Sequence, residues 1–205
     1  MGNRNGRRRS PSKGDVREEK ILESAATLLR ERPLHQVTVT EIATGAGITA
    51  PTFYFYFSTK ADVLAALLER VLERIRTQLT DWLEDGDAEP AIRAVLETNA
   101  CVWGEHGALL REIYFSTAPE PRIAELRDQF AEWLVAAVAD RIATDREAGT
   151  ALPGPPGATE LARTLCGMVL ASFATAASCG DPALRDGRLV RTLTTIIVRS
   201  VYGSG

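Results

Sequence analysis

Apolar residues recur every three or four positions along most of this 205-residue chain, which is the spacing of amphipathic α-helices. An early run spans residues 21–29 and stops before Pro33, and a longer run continues from Val63 to Trp82. No segment convincingly predicts a β-strand. We therefore predict an all-α protein of nine helices, which begin near residues 15, 38, 49, 59, 90, 107, 121, 158 and 187.

The second and third predicted helices lie within residues 38–57, which read TVTEIATGAGITAPTFYFYF. Thr38 followed by Glu41, like Asp15 followed by Glu18 earlier in the chain, is typical of a capping box that starts a helix. Thr49 is placed to cap the third helix, with Pro51 in its first turn, where a missing N–H costs nothing. Two short helices around a tight turn predict a helix-turn-helix, whose second helix enters the major groove of DNA.

The third predicted helix has side chains that suit the surface of a duplex. Hydroxyl groups bond base edges or phosphate oxygens, small side chains permit close approach, and a helix N-terminus attracts phosphate. Phe53 and Phe57 are four residues apart and are expected to face inward. The alternating aromatics of residues 53–57 leave a strand or plain core as the alternative interpretation. The residues expected on the DNA face are Thr38, Thr49, Ala50, Pro51, Thr52, Tyr54, Tyr56 and Lys60.

Charge is distributed unevenly along the chain. Residues 1–60 hold ten Lys and Arg against six Asp and Glu, whereas residues 61–205 hold fourteen against twenty-one. A basic N-terminal part joined to an acidic remainder is typical of a polyanion-binding head on a solubilising body. We predict a disordered basic arm over residues 1–14, a helix-turn-helix domain over residues 15–60 and a helical domain over residues 61–205. The arm either follows phosphates or remains a solvated tail.

The sequence offers little support for covalent chemistry. It has no nucleophile elbow, phosphate-binding loop or dinucleotide fingerprint, and its two histidines, His35 and His106, stand apart. We expect His106 in a solvated turn. Three scattered cysteines fit a reducing cytosol, and the uncharged residues 164–180 are shorter and more polar than a membrane span, so we expect a buried helix there. The prediction is a cytoplasmic protein that is not an enzyme, with no cofactor, metal or membrane.

The stretches ILESAATLLRERP and VTVTEIATGAGITAPTFYFYFSTKADVLAALL resemble the DNA-binding domain of the TetR family of bacterial repressors. The resemblance covers residues 21–72. It implies a homodimeric repressor with Thr49, Thr52, Tyr54, Tyr56 and Lys60 on its DNA face. It also implies a C-terminal domain for ligand binding, with dimerisation through residues 158–178 and 187–202. Small residues in the first of these helices and an apolar row in the second favour the same interface. The alternative is that both faces pack within one subunit.

The C-terminal part holds many aromatic and apolar side chains, which would suit the wall of a pocket for a small apolar effector. Each of them is equally compatible with plain core packing. The sequence thus predicts a repressor that binds a pseudo-palindromic operator in double-stranded DNA and is released by a small apolar or aromatic effector. A transcriptional activator and a ligand-independent DNA-binding protein remain alternatives. The residues expected to contact the effector are Asn99, Trp103, Tyr114, Phe115, Phe130, Trp133, Met168 and Phe173.

Overall fold

The computed structural model of the chain describes residues 13–32, 34–85, 87–115 and 120–203. Within these ranges the backbone is all-α, as the apolar spacing predicts, and contains no β-strand. Two short 3₁₀ segments, Leu34–Gln36 and Pro182–Leu184, lie between α-helices. The α-helices are α1 (Lys13–Glu31), α2 (Val39–Gly45), α3 (Ala50–Tyr56), α4 (Lys60–Asp85), α5 (Ala88–Phe115), α6 (Pro121–Glu147), α7 (Ala158–Cys179) and α8 (Arg188–Tyr202).

The second and third helices begin at the predicted caps. The Thr38 hydroxyl accepts a hydrogen bond from the backbone N–H of Glu41 at 3.2 Å, and the Glu41 carboxylate accepts one from the backbone N–H of Thr38 at 2.9 Å. Thr49 has extended backbone angles and caps α3, with Pro51 in the first turn. Gly47 has a φ of 69° between the two helices, a left-handed conformation that favours glycine. These local features fix the turn of the helix-turn-helix.

The first helix begins two residues before its predicted start. Its first residue is Lys13, and Asp15 lies in the first turn, where a negative charge favours the positive end of a helix. The predicted basic arm is therefore too long, because residues 13 and 14 are helical. The rest of the arm, residues 1–12, lies outside the described residues.

The two helices predicted over residues 90–103 and 107–115 form one kinked helix, α5. The backbone of His106 leaves the helical range, with φ −125° and ψ 16°, so the described residues contain nine α-helical segments. The expectation of a solvated His106 is wrong: its side chain is only 19% exposed. Burial lowers the pKa of this imidazole, although the charge of Glu105 opposes that shift. The helix after the kink packs closely on α7, since a Cβ on Gly107 would lie 3.1 Å from that of Ala177.

One apolar core runs through both halves of the molecule. It joins Ile21 of α1 and Phe53 of α3 to buried residues of α4, α5, α6, α7 and α8. A second cluster around Ile142 links α6, α7 and the end of α8. The helix α4 contributes buried side chains from Val63 to Leu79 and therefore belongs to both halves. The domain boundary at residues 60 and 61 stays a prediction.

The helix α7 is less buried than its apolar sequence predicts. It is long and apolar enough to cross a membrane by length and composition alone, yet only 33% of its most apolar window is buried. It packs against α5 and α6 within the helical body. Its outward side carries small, uncharged and exposed residues, and we call Thr164, Ala171, Thr175 and Ser178 the α7 outer face.

The apolar row of α8 packs partly inside the single chain. Val190, Leu193 and Val201, which the sequence suggests for an interface between subunits, are buried without a partner subunit. Ile196 remains exposed and Ile197 is half-buried. Half of the row therefore packs within one subunit, and the use of α8 in a dimer stays a prediction.

Candidate functional site

The helix α3 is held in place by two of the five consecutive aromatic residues at positions 53–57. Phe53 and Phe57 are buried, with ring centroids 6.0 Å apart, as their spacing predicts. At the start of the helix the Thr49 and Thr52 hydroxyls are 2.9 Å apart, and the backbone N–H of Thr52 points to the Thr49 hydroxyl at 3.4 Å. The buried side orients the helix, and the hydroxyl pair fixes the first turn of its outer side.

The remaining residues of α3 face outward to different degrees. Tyr54 is 55% exposed, and the ring of Pro51 is also exposed. Ala50, Thr52 and Tyr56 are half-buried, while Thr38 and Thr49 are exposed at the starts of α2 and α3. All eight residues expected on the DNA face are thus exposed or half-buried on one small domain. Their contact with DNA stays a prediction.

The sequence-based set omits the most exposed aromatic of the helix. Phe55 is 84% exposed, and its ring packs edge-on against Tyr56 with centroids 5.3 Å apart. The signal is present in the sequence. If Phe53 and Phe57 face inward, a residue midway between them in a helix must face outward. An apolar ring at that position can contact a thymine methyl group or the sugar edge of a groove.

Lys60 has a different environment from the one expected. Its ammonium group donates hydrogen bonds to the backbone carbonyls of Leu34 and Val37, at 2.9 and 3.0 Å. Two of its three N–H donors are therefore committed inside the domain. The observed role of Lys60 is to tie the segment before α2 to the start of α4, where Thr59 and Asp62 form a capping box. A direct phosphate contact by this side chain stays a prediction, with one donor left for it.

A carboxylate at the edge of this surface is held in its charged form. Hydrogen bonds from the hydroxyl and backbone N–H of Thr38, together with Arg32, lower the pKa of Glu41 to about 2. The guanidinium of Arg32 lies 2.9 Å from the Glu41 carboxylate and balances its charge. The capping box therefore adds no net negative charge to this surface.

A large cavity lies in the C-terminal half, between α4, α5, α6, α7 and α8. Its volume is about 760 Å³, within the range of cavities that hold drug-sized molecules. Four of the eight residues expected to contact an effector line it: Asn99, Trp103, Tyr114 and Phe130. Most of the remaining wall is aliphatic, from residues such as Leu72 and Ile75 of α4 and Val138 of α6.

The polar groups in the deeper wall are neutral. Burial raises the pKa of Tyr114 to about 12 and that of Cys166 to about 11, so the phenol and the thiol both keep their protons at neutral pH. The amide nitrogen of Asn99 donates to the backbone carbonyl of Val95 at 3.3 Å, which leaves its oxygen as an acceptor. The deeper part of the cavity can therefore hold an apolar molecule by packing and a few hydrogen bonds. Among the described residues, it offers no charged side chain to pair with an ionised molecule.

The other four residues expected at the effector do not line the cavity. Phe115 is 57% exposed at the end of α5, and Phe173 is fully buried in the core. Trp133 packs against Phe130 and under the guanidinium of Arg76, which lies 4.7 Å from its ring centre. Met168 is half-buried against the core. Burial and ring contacts explain these positions, and helical spacing alone does not separate such residues from those at the wall.

A buried ionic group lies beside one end of the cavity, and the sequence does not predict it. Tyr202, which lines the wall, donates a hydrogen bond of 2.6 Å from its phenol to Asp145. Asp145 is 7% exposed, and its carboxylate also accepts from Arg141 at 2.9 and 3.0 Å. Burial and this carboxylate raise the pKa of Tyr202. The group fastens the end of α8 to α6 next to the cavity.

No arrangement of metal ligands is present in the part of the chain that the structure describes: no group of three or more His, Cys, Asp or Glu side chains is placed to hold a metal ion. The two features that stand out are therefore an exposed helix with polar and aromatic side chains and a large apolar cavity. The first can contact a large surface, and the second can enclose a small molecule.

Comparisons with known proteins match the N-terminal part, with its exposed helix, and the C-terminal part, with its cavity, to two separate family descriptions. The sequence profile described as "Bacterial regulatory proteins, tetR family" matches residues 21–67, and that described as "Transcriptional regulator EthR, C-terminal domain" matches residues 89–203. The chain is 37% identical over 206 residues to the HTH-type transcriptional regulator EthR of Mycobacterium tuberculosis, covering 97% of this chain and 93% of that protein. It is 33% identical over 201 residues to EthR of Mycolicibacterium smegmatis, with 97% and 92% covered.

A solved structure with the same fold is that of SmeT, the repressor of the Stenotrophomonas maltophilia multidrug efflux pump SmeDEF. Its TM-score is 0.74 at 22% sequence identity, over 92% of this chain and 91% of that chain. SmeT has also been solved as a complex with triclosan. At this level of identity the likeness establishes the fold alone.

Proposed function

Because this chain belongs to the TetR family of bacterial regulatory proteins, we propose that it is a ligand-responsive repressor that binds a pseudo-palindromic operator as a homodimer. Membership of the family makes the chain a helix-turn-helix transcriptional regulator and not an enzyme. The proposal adds the operator surface, the subunit interface, the effector and a cytoplasmic location. The observation that carries it is the outward side of α3, whose aromatic and hydroxyl groups are exposed although the same helix is anchored by buried rings.

In the proposed complex α3 lies in the major groove. The hydroxyls of Thr49 and Thr52 reach base edges or phosphates from the first turn, and Tyr54 and Phe55 cover the groove wall farther along. Phosphate contacts position the domain, and base contacts provide sequence preference. Basic residues of the segment before α1 add non-specific affinity that falls as the salt concentration rises.

A homodimer accounts for the exposed side of α7. Only about a third of the most apolar window of α7 is fully buried in a single subunit, and the residues of the α7 outer face are exposed. The small side chains of the α7 outer face allow a second helix to approach closely, and Ile196 of α8 adds an exposed apolar side chain. A two-fold axis here would pair two copies of α3. Two recognition helices about 34–36 Å apart, or a multiple of that distance, read a pseudo-palindrome on one side of a duplex.

The cavity supports control by a small apolar effector. A large apolar space would be an unfavourable void if it stayed empty, because its lining loses packing contacts. An effector changes operator affinity only if it binds one arrangement of the recognition helices more tightly than the other. A coupling free energy of about 1–3 kcal/mol would weaken operator binding about 5–150-fold. A DNA-binding protein that does not respond to a ligand would not need such a cavity. A transcriptional activator would share the operator surface, the dimer and the cavity.

The proposal is tested by a mobility shift with the DNA upstream of the chain's own reading frame. Wild-type protein is expected to retard this DNA and not a shuffled sequence of equal length. Tyr54→Ala is expected to weaken retardation at least about tenfold, the loss of one good contact in each of two helices, while size-exclusion chromatography still shows a dimer. Gln129→Ala, an exposed change on α6 far along the chain, is the control. If Tyr54→Ala retards the DNA as strongly as the control Gln129→Ala does, the proposed contact between α3 and the operator is contradicted.

A further inference from the structure

The side of α3 that faces directly away from the core is apolar. Pro51 and Phe55 are both exposed, and residues four apart in a helix lie one above the other on the same face. Phe53 and Phe57 have the same spacing and are buried. At about 100° per residue, Phe55 points about 200° away from Phe53. We call the exposed pair, Pro51 and Phe55, the α3 ridge.

The helix α3 lacks the side chains that identify bases by paired hydrogen bonds. Its seven residues, APTFYFY, include no Arg, Lys, Asn, Gln, Asp or Glu. Arg and Lys bond the O6 and N7 atoms of guanine, and Asn and Gln bond the N6 and N7 atoms of adenine. A single hydroxyl group can donate or accept, so it distinguishes base pairs poorly. Sequence preference from this helix would have to come mainly from another kind of contact.

The polar groups in and beside the first turn are already partly occupied. The hydroxyls of Thr49 and Thr52 lie 2.9 Å apart, so one donates its proton to the other. Beside the helix, Lys60 donates two hydrogen bonds to backbone carbonyls, and Arg32 pairs with Glu41. These described groups therefore keep few donors for base edges.

Thymine is the base that an apolar ridge can recognise. Among the groups that distinguish the bases in the major groove, only the C5-methyl of thymine is apolar. A ring that packs on this methyl group removes apolar surface from water, and burial of one methyl-sized group changes an equilibrium constant about fourfold. Phe55 is the most exposed large apolar side chain of the described residues, so it has the most surface to bury.

We propose that the α3 ridge recognises thymine methyl groups, so that each operator half-site carries thymine where Pro51 and Phe55 enter the major groove. These contacts provide most of the sequence preference of the helix. The inference rests on the proposed function, operator binding through α3, and adds the class of base that the helix selects. The hydroxyls of Thr49, Thr52 and Tyr54 then serve mainly to position α3 through phosphate contacts.

The test removes the methyl groups from the DNA. The upstream segment that the wild-type protein protects from DNase I is synthesised once with thymidine and once with deoxyuridine. Uracil keeps every hydrogen-bonding group of thymine and lacks only the C5-methyl. Fluorescence anisotropy at one fixed salt concentration gives Kd for both duplexes. The loss of one methyl contact in each of two half-sites predicts at least about fifteenfold weaker binding of the deoxyuridine duplex.

A third duplex tests hydrogen-bonded recognition of guanine. It carries 7-deazaguanine in place of guanine and so lacks the N7 acceptor that Arg and Lys use. Because α3 has neither residue, we expect the Kd of this duplex to stay within about threefold of that of the unmodified one.

Variants of Phe55 show whether the missing methyl groups faced the ridge. For Phe55→Ala the ratio of Kd between the deoxyuridine and thymidine duplexes should shrink to about fourfold or less, because the ring that contacts the methyl group is already absent. Phe55→Leu keeps an apolar side chain and should retain most of the ratio. Gln129→Ala, an exposed change on α6, should match the wild type. An effect of deoxyuridine on the stiffness of the duplex would be equal in all four proteins.

Equal affinity of the wild type for the thymidine and deoxyuridine duplexes would overturn the inference, and operator binding itself would stand. The same ratio in Phe55→Ala as in the wild type would also overturn it, since this marks an effect of the DNA alone. A loss of about tenfold or more with 7-deazaguanine would assign the sequence preference to hydrogen bonds instead. If the wild type does not bind the unmodified upstream DNA specifically, the proposed operator function fails and this inference fails with it.

Discussion

Phe53 and Phe55 form a natural matched pair: the same side chain on the same helix, two positions apart, in opposite environments. Phe53 is fully buried, whereas Phe55 is 84% exposed. Truncation of a buried Phe to Ala costs about 3–5 kcal/mol, from lost burial and the remaining cavity. That is a large share of the about 5–15 kcal/mol that stabilises a typical domain. For Phe55→Ala we expect a change within about 0.5 kcal/mol, as at other exposed positions.

The order of effects reverses for DNA binding in the proposed complex. If a duplex covers about 40 Å² of the Phe55 ring, the contact contributes about 1 kcal/mol at about 25 cal/mol per Å². A homodimer makes this contact twice, so Phe55→Ala should lose about 2 kcal/mol, or about thirtyfold in Kd. Phe53→Ala should abolish binding only to the extent that the domain unfolds.

Urea unfolding followed by circular dichroism measures the first effect, and fluorescence anisotropy of labelled operator at one fixed salt concentration measures the second. Phe55→Ala should show a wild-type midpoint with weakened binding, and Phe53→Ala a clearly lower midpoint. A Phe55→Ala protein with wild-type operator affinity would contradict the orientation of α3 on DNA. A Phe53→Ala protein of wild-type stability would contradict the packing of α3 itself.

Three further predictions concern the caps, the buried ionic group and the dimer. Tyr202→Phe should cost about 1–3 kcal/mol in urea unfolding, because Asp145 loses a hydrogen bond at a buried site; wild-type stability would show that this bond contributes nothing. Glu41 has a folded-state pKa of about 2 against an ordinary 4.5, so its contribution to stability is present above pH 4.5 and is lost as the pH falls toward 2. Glu41→Gln should therefore flatten the acid side of the stability profile, and an unchanged profile would exclude the cap with Thr38 as its cause. Ala171→Glu on the α7 outer face should give monomers in size-exclusion chromatography at micromolar concentration, and an unshifted dimer would place the interface elsewhere.

The local elements of this fold could be predicted from the sequence because their signals are local. The Thr38–Glu41 box and the Thr49 cap fix helix starts through contacts three residues apart, and the structure confirms both. The prediction for α1 is two residues late, because Asp15 has the sequence pattern of a cap although it lies in the first turn of the helix. The kink at His106 is predicted only approximately, since a break within a helix and a turn between helices leave similar patterns in sequence.

The cavity could be predicted only in part, because a side chain at the core and one at a cavity wall look alike in sequence. Trp103 and Phe173 are both large apolar residues at helical spacing, yet only the first lines the cavity. What separates them is the distance between neighbouring helices, a tertiary quantity. The partnership of Tyr202 with Asp145 spans 57 residues and has no local signature. The exposure of Phe55, by contrast, follows from the inward direction of its neighbours.

The two parts of the proposed mechanism meet on α4. This helix begins at the helix-turn-helix, where Lys60 holds the segment before α2, and its later residues Leu72 and Leu79 form part of the cavity wall. The distance from Lys60 to Leu79 along the helix is about 28 Å at about 1.5 Å per residue. At the first turns of α4, the guanidinium of Arg122 on α6 lies 3.6 Å from the carboxylate of Asp62, so two of the helices that line the cavity meet beside the DNA-binding domain. In the proposed mechanism, an effector that moves α4 relative to α6 would shift α3 without contacting it. In the proposed dimer the same displacement in both subunits would change the separation of the two recognition helices, and we propose that an effector favours the unbound state in this way.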